Sequence, residues 1–388
     1  MNPAIAVEAK GTFMQLPETI TRLYDHDGPF ASVYLYATRA SAAGDAEIHL
    51  RWRGLRGKLV EQGADGKTLS ALDELADGTW ELGGPRGRML VAAAGQVLLA
   101  EETDRPPVRE VARWSPLPDT LPYLVNRITR IPYLLVQIDR TGADITTVLD
   151  EHDRRKFSVE GDAQHPLRKT GRDDWSERHF QNRVENAWES NSKEVAQEIH
   201  RRRPLSVQLI LIAGDVRARA MVSDHLAKLL PPSVTIEQLE SGGRAEGISQ
   251  SALDAAVHDA LLRQVWRIRR DGLARLEQAI GRHDYAVTGV TAVVEALRKA
   301  QVETLVLSDD PSSTLTAFVG PGPLDLALEE SELKASGVDH IQQDRLDAAM
   351  VRALAGTGAG IIITPGGHDY LRDGVAAILR YTDESTPH

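Results

Sequence analysis

The sequence predicts an α/β protein, α+β overall, in three domains spanning residues 1–129, 130–246 and 247–388. Three observations predict it. Short apolar runs alternate with helical-period stretches through the second and third segments. The length, 388 residues, exceeds what one hydrophobic core usually fills. A tract with Pro106, Pro107, Pro116, Pro118 and Pro122 interrupts the pattern and sets a boundary near 129.

The elements follow in order. Asp27-Gly28-Pro29 is a turn signal, and residues 30–36 after it are β-rich. Residues 47–62 place Ile48, Trp52, Leu55 and Leu59 at helical spacing, and 67–76 predict a second helix. Residues 88–94 and 96–101 flank Gly95 as a hairpin, and little regular structure is expected across the proline tract. In the central segment, 133–138 and 143–149 read as strands about the turn Asp139-Arg-Thr-Gly142. The polar stretch 160–175 is expected to be an exposed loop. A long helix is expected from Ser176 to about His200, with Phe180, Val184, Ala187, Trp188, Val195 and Ile199 on one stripe. A buried strand over 207–213, a helix over 216–230 and a strand over 234–239 follow, up to the Gly242-Gly243 break. The last segment predicts helices over 249–280, 287–300 and 343–355. Its strands are expected over 302–307, 360–364 and 375–381, with a loop at Asp309-Asp-Pro-Ser-Ser313. This last segment reads as an α/β/α sandwich, and the central one as a mixed sheet with its long helix.

Composition narrows the function. There are no cysteines, which removes disulfides, Cys-type zinc sites, iron–sulfur clusters and thiol nucleophiles. No basic n-region with an apolar core is visible at the start, and no apolar run is long enough to span a bilayer. A cytoplasmic protein without a membrane partner is expected. Lys+Arg is 45 and Asp+Glu 56, a net charge of −11. Segment by segment the balance is −3, −1 and −7, so most of the acidity lies in 247–388. The first two segments carry basic islands instead: Arg39, Arg51, Arg53, Arg56 and Lys58; eight cations against five anions from 154 to 183; and Arg201-Arg-Arg203. Local patches, not totals, decide phosphate recognition. Trp52 and Trp175 sit within the first two islands, where an aromatic can stack on an unpaired base or pack inward.

Motifs for common chemistries are missing. Gly-x-Ser-x-Gly and the P-loop do not occur, and Gly356-Thr-Gly-Ala-Gly360 precedes a strand rather than following one. His165, His179 and His200 lack the His-x-x-x-His spacing of a zinc site. Asp139 and Asp215 each follow a strand; they are either Mg²⁺-holding carboxylates of a nuclease or turn and helix-cap residues. No metal site and no cofactor is assigned.

The order of pieces resembles the middle and last domains of archaeal and eukaryotic class-1 peptide release factors and Pelota. The pieces are Ile138-Asp-Arg-Thr-Gly-Ala143, the loop from His165 to Trp175, the helix after it, and Leu211-Ile-Ala-Gly214. In the last segment they are Gly289-Val-Thr-Ala-Val-Val-Glu-Ala-Leu297, Val302-Glu-Thr-Leu-Val-Leu307 and Gly374-Val-Ala-Ala-Ile-Leu-Arg-Tyr381. Gly28-Pro-Phe-Ala-Ser-Val-Tyr34 and Ile138-Asp-Arg-Thr-Gly-Ala-Asp144 look closer still to a bacterial branch that includes the ribosome hibernation factor Balon and its actinobacterial relatives. The resemblance implies a three-domain release-factor/Pelota-like architecture. It also implies a cytoplasmic factor that binds the A site of idle 70S ribosomes, contacting 16S and 23S rRNA, with elongation factor Tu as a partner and a monomer off the ribosome.

One departure shapes the expected chemistry. Release factors carry Gly-Gly-Gln in the central loop; here the matching stretch is Lys169-Thr-Gly-Arg-Asp-Asp-Trp175. The resemblance therefore implies a non-hydrolytic protein with no catalytic residue. The expected rRNA contacts at the peptidyl transferase centre are His165, Lys169, Thr170, Gly171, Arg172, Asp173, Asp174, Trp175, Arg178 and His179. On the decoding side they are Arg39, Arg51, Trp52, Arg53, Arg56 and Lys58, although the family's Asn-Ile-Lys-Ser motif is missing. The alternatives are a peptidyl-tRNA hydrolase or rescue factor using His165 or His179 in a remodelled loop, and a metal-dependent ribonuclease using Asp139 and Asp215.

Overall fold

A computed structural model describes residues 14–37, 44–76, 87–103, 106–107, 109–126, 131–139, 141–149, 153–160, 174–240, 250–282, 284–310, 312–365, 368, 370–384 and 386. Side chains of 44–46 and 174–187 lie outside that description. The chain is mixed α/β. Its contacts gather into two units, one built from Thr129–Arg267 and the other from Thr12–Ile128 together with Ile268–His388.

The second unit begins with β1 (Met14–Gln15), α1 (Glu18–Thr21), β2 (Phe30–Tyr36), α2 (Gly44–Glu61) and α3 (Gly66–Ala76). Then come β3 (Gly87–Ala93), β4 (Gln96–Thr103), β5 (Val111–Ser115) and α4 (Leu121–Asn126). Among the described residues, β4-β3-β2-β5 form one antiparallel sheet. The β3–β4 hairpin turns through Ala94 and Gly95, both at positive φ (50° and 80°), the pairing that suits the right-handed twist of a two-residue hairpin. Ile48, Trp52, Leu55 and Leu59 of α2 and Leu69 and Leu72 of α3 are all buried against Val33, Leu35 and Leu90 of this sheet. The helical spacing seen in the sequence is that buried stripe. The proline tract, by contrast, is not structureless. β5 runs along β2 from Tyr34↔Val111 to Phe30↔Ser115, an edge strand short enough to escape notice between prolines.

The central unit contains β6 (Tyr133–Ile138), β7 (Gly142–Val148), β8 (Arg154–Glu160), α5 (Asp174–Arg202), β9 (Leu209–Gly214), α6 (Val216–Leu229) and β10 (Thr235–Gln238). α7 (Gln250–Gly281) follows. The sheet order is β10-β9-β6-β7-β8, with β10, β9 and β6 parallel and β7 and β8 antiparallel. Val195, Ala196 and Ile199 of α5 and Val222 and Leu226 of α6 cover one face. Leu253, Val257 and Ala260 of α7 cover the other, over β9. Two expectations change here. Residues 154–160 form the edge strand β8, and α5 starts at Asp174, so Trp175 is helical rather than part of the loop. β8 carries three successive cations and buries only Val159, so its period-2 pattern is faint.

The last segment contains β11 (Ala286–Thr288), α8 (Val290–Arg298), β12 (Val302–Asp309), β13 (Thr316–Val319), β14 (Leu326–Ala327) and α9 (Glu330–Ala335). β15 (Gln342–Arg345), α10 (Leu346–Thr357), β16 (Gly360–Pro365) and β17 (Val375–Leu379) complete it. The sheet order β1-β16-β12-β17-β11 includes β1 from the start of the chain, antiparallel to β16. α8 and α10 pack on one face, and Leu276 of α7 packs on the other against Val306, Ile362 and Ile378. The expected α/β/α sandwich is therefore present. Residues 286–288 and 342–345, expected at the starts of helices, are strands instead. Gly289, at φ 90°, turns β11 into α8.

The first and last segments share one core. Ile20, Leu23, Tyr123 and Leu124 are buried in the same cluster as Leu346, Met350 and Leu354 of α10. The polar centre of this joint is Asp344, whose side chain is fully buried. It accepts hydrogen bonds from the Arg113 guanidinium, the Leu117 amide (2.7 Å) and the Arg345 amide (2.6 Å). Arg113 also lies 3.9 Å from Asp119. Burial pushes the Asp119 carboxyl upward, and the neighbouring Asp347 adds to the shift.

Two outcomes follow from the joint. Asp344→Ala leaves a mostly buried guanidinium without its closest carboxylate and is expected to cost about 3–5 kcal/mol, read by urea unfolding. Asp119→Asn acts in the opposite direction. A carboxyl whose folded pKa is raised binds more protons folded than unfolded, so stability falls as pH rises through that folded value. The variant should melt higher than wild type at pH 7, and the gain should vanish as pH falls to about 4.

Candidate functional site

The site is built where β6 and β9 end side by side. They are parallel, with Ile138 opposite Gly214. Gly214 has φ 123°, and a Cβ there would lie 1.8 Å from the Ile138 carbonyl oxygen. Only glycine permits this approach. The chain then returns its next amide to the neighbouring strand: the Asp215 N–H donates to Ile138 O at 3.1 Å. Asp139 and Asp215 are thereby brought to the same end of the sheet.

Both carboxylates have local work. Asp139 Oδ1 accepts from the Thr141 amide and hydroxyl (2.7 Å each) and from the Gly142 amide (3.0 Å), closing the β6–β7 turn. Asp215 Oδ1 accepts from the amides of Arg217 (3.0 Å) and Ala218 (3.2 Å), capping α6. Trp188, Asn191 and Ser192 of α5 join them around a cleft of about 10 Å³, on the order of one water molecule. No group of three or more His, Asp or Glu side chains that could hold a metal ion occurs among the described residues. The geometry is that of a turn and a helix cap, the second of the two readings left open by the sequence. Trp188 sat on the expected apolar stripe, but its place at this cleft was not legible from spacing alone.

The expected peptidyl-transferase-side residues divide in two. His165, Lys169, Thr170, Gly171, Arg172 and Asp173 lie outside the described residues. Asp174, Trp175, Arg178 and His179 form the first two turns of α5. That helix is anchored at its far end, where Val195 and Ile199 are buried and the Arg202 guanidinium sits 4.7 Å from the Phe157 ring centroid.

The described residues among the expected decoding-side contacts all lie on α2. Arg39 lies outside the described residues. Trp52 offers no stacking face, because it is 2% exposed and its Nε1–H donates to Asp73 Oδ1 at 2.9 Å. Arg56 donates from Nε to the same carboxylate oxygen at 2.8 Å. Arg51 pairs with Glu47 (2.6 Å) and lies 4.7 Å from the Tyr36 ring centroid. Arg53 and Lys58 are exposed on α2. Trp52 was a core residue whose helical spacing with Ile48 and Leu55 already gave the signal. No helix among the described residues is long and apolar enough to cross a membrane.

Three variants separate these roles. Trp52→Ala should lose about 3–5 kcal/mol of stability. Asp215→Ala should lose about 1 kcal/mol, the worth of an N-cap. Gly214→Ala should be the most damaging of the central-unit changes, because backbone must move to admit the methyl. Thermal melts of the three proteins check the order.

Over 372 residues the chain is 26% identical to uncharacterized protein Rv2629 of Mycobacterium tuberculosis H37Rv, covering 94% of this chain and 96% of the relative. Superposition on Archaeoglobus fulgidus Pelota gives a TM-score of 0.38 at 13% identity, covering 96% of this chain and 95% of that one. Archaeal Pelota from a ribosome-bound assembly with ABCE1 gives 0.37 at 14% identity, covering 95% of each. Residues 132–282 match the model of bacterial archaeo-eukaryotic release factor family 2, and through that segment the chain is similar to the archaeo-eukaryotic release factor superfamily.

Proposed function

We propose that the protein is a ribosome-binding translation factor that occupies the A site of idle ribosomes as a hibernation factor and does not hydrolyse peptidyl-tRNA. The observation that carries this reading is the family match over 132–282, which covers the hairpin, the segment 161–173 and α5 together. In that reading Lys169, Arg172 and Arg178 meet rRNA phosphates, a sequence-independent contact. The tripeptide Gly-Gly-Gln occurs nowhere in the chain. Asp173 and Asp174 stand in the matching stretch, and negative charge opposes the oxyanion that ester hydrolysis must stabilise. The acidic residues of 247–388 suit a protein partner rather than rRNA, and elongation factor Tu is the partner proposed. The protein acts in the cytoplasm as a monomer until it meets the ribosome.

The test is sedimentation of stationary-phase extract through a sucrose gradient, followed by immunodetection. The protein should travel with 70S particles; its confinement to the top of the gradient overturns the reading. Purified protein added to ribosomes carrying labelled peptidyl-tRNA should release no peptide above background. Release that is lost in His179→Ala would instead establish the hydrolase alternative.

A further inference from the structure

We propose that Arg154 and Lys156 of β8, on the part of the central sheet that α7 leaves open, form a contact for the sugar–phosphate backbone of RNA. The inference rests on the ribosome-binding reading and adds a site outside the rRNA contacts that this reading names. Alternation along the strands sorts the two faces of the sheet. Leu134, Val136, Ile145, Phe157 and Val159 lie on the face covered by α5 and α6. Tyr133 and Leu135 of β6 and Leu209 and Leu211 of β9 lie on the face covered by α7. The register carries this second face out to the edge of the sheet. Leu135 is opposite Thr146, which is opposite Lys156; Tyr133 is opposite Val148, which is opposite Arg154. Arg154, Lys156 and Ser158 are exposed there, and Thr146 and Gln137 are half-buried. The covering helix thus packs over β9 and β6 and leaves the β8 side chains of this face in solvent.

The side chains point to the class of partner. Arg154 and Lys156 are two residues apart on one face, about 6.8 Å along the strand, so each can meet a different phosphate of one nucleic-acid strand. Neither is paired with a carboxylate among the described residues. Arg155, between them, belongs to the other face and is held by Asp153 at 2.8 and 2.7 Å. Burial pushes the Tyr133 phenol up and the charge of Arg154 opposes the shift, as expected of two groups on the same face. The neighbours Thr146, Ser158 and Gln137 are hydroxyl and amide side chains, which together with Arg and Lys are the usual contacts to phosphate and sugar. A protein partner gains most from apolar anchors, and the exposed β8 residues of this face, Arg154, Lys156, Ser158 and Glu160, are all polar. The patch is also bounded. The Ser158 hydroxyl donates to Asp144 Oδ1 at 2.8 Å, and Glu160 ends the strand. Anions at that end repel phosphate, so the backbone crosses β8 at Arg154 and Lys156 rather than running its whole length.

Fluorescence anisotropy of labelled oligouridylate with the full chain, across a salt series, tests the site. Wild type should bind, with an affinity that falls as salt rises. Arg154→Gln and Lys156→Gln should each weaken binding. Each should also lower the slope of log affinity against log salt by about 0.7, the single-strand value for one phosphate contact. Lys156→Arg should keep the wild-type slope, and Arg155→Gln, on the opposite face, should leave it unchanged. No binding by wild type, or a wild-type slope in both Arg154→Gln and Lys156→Gln, overturns the proposal. So does an equal effect of Arg155→Gln, which would make binding a matter of total charge. Polyglutamate that competes as well as unlabelled oligouridylate would assign the face to an acidic protein segment and overturn it too. Self-association of Arg154→Gln and Lys156→Gln in sedimentation velocity, with RNA binding intact, would make the two cations guards of an open sheet edge instead. Pelleting of the same variants with 70S ribosomes keeps the two ideas apart. Wild type that binds the oligonucleotide through this face but not ribosomes sinks the hibernation reading and leaves this site standing; unchanged slopes in the variants with intact ribosome pelleting do the reverse.

Discussion

The unit made from the two ends of the chain depends on one buried carboxylate. Asp344 receives a guanidinium from the first segment, a backbone amide from the same segment at Leu117, and the amide of its own neighbour Arg345. A carboxylate taken from water is stable only with such a full set of donors. Burial raises its pKa all the same, with Arg113 as the largest opposing influence. The apolar core formed by α1, α4 and α10 surrounds this polar centre. Strand β1 repeats the arrangement at backbone level by pairing with β16. Residues distant in sequence thus fold as one body because their polar groups are satisfied only by each other.

The central unit is organised by close backbone approach instead. Gly214 lets β9 meet the end of β6, and that contact fixes where Asp215 caps α6 and where Asp139 closes its turn. α5 crosses the sheet with 29 residues, about 43 Å of helix. Its C-terminal turns are locked by Val195, Ile199 and the Arg202–Phe157 contact. The start of the helix therefore carries Asp174 to His179 far from the buried anchor.

Much of this is legible in the sequence. The strand 133–138, the helix 216–229 and the hairpin about Gly95 follow from period and turn chemistry that no tertiary contact overrides. The short strands β5, β11 and β15 were not legible. Each has five residues or fewer, and their pairing partners lie far away in sequence, as Phe318↔Gln343 shows. Strand pairing of that range leaves no local signature. The same limit applies to the site. Asp139 and Asp215 were recognisable as strand-end carboxylates, but only the backbone amides around them distinguish a cap from a metal ligand. Trp52 fitted both a basic island and a helical stripe; burial in the core decides for the stripe. The union of first and last segments was invisible, because Asp344 reads as an ordinary polar residue until Arg113 is placed beside it.

Cryo-electron microscopy of the protein bound to 70S ribosomes tests the central claim most directly. Under the proposed function, density is expected in the A site, with residues 161–179 reaching the peptidyl transferase centre and the peptide ester intact. Density on the ribosome outside the A site, or with 161–179 remote from that centre, would contradict it.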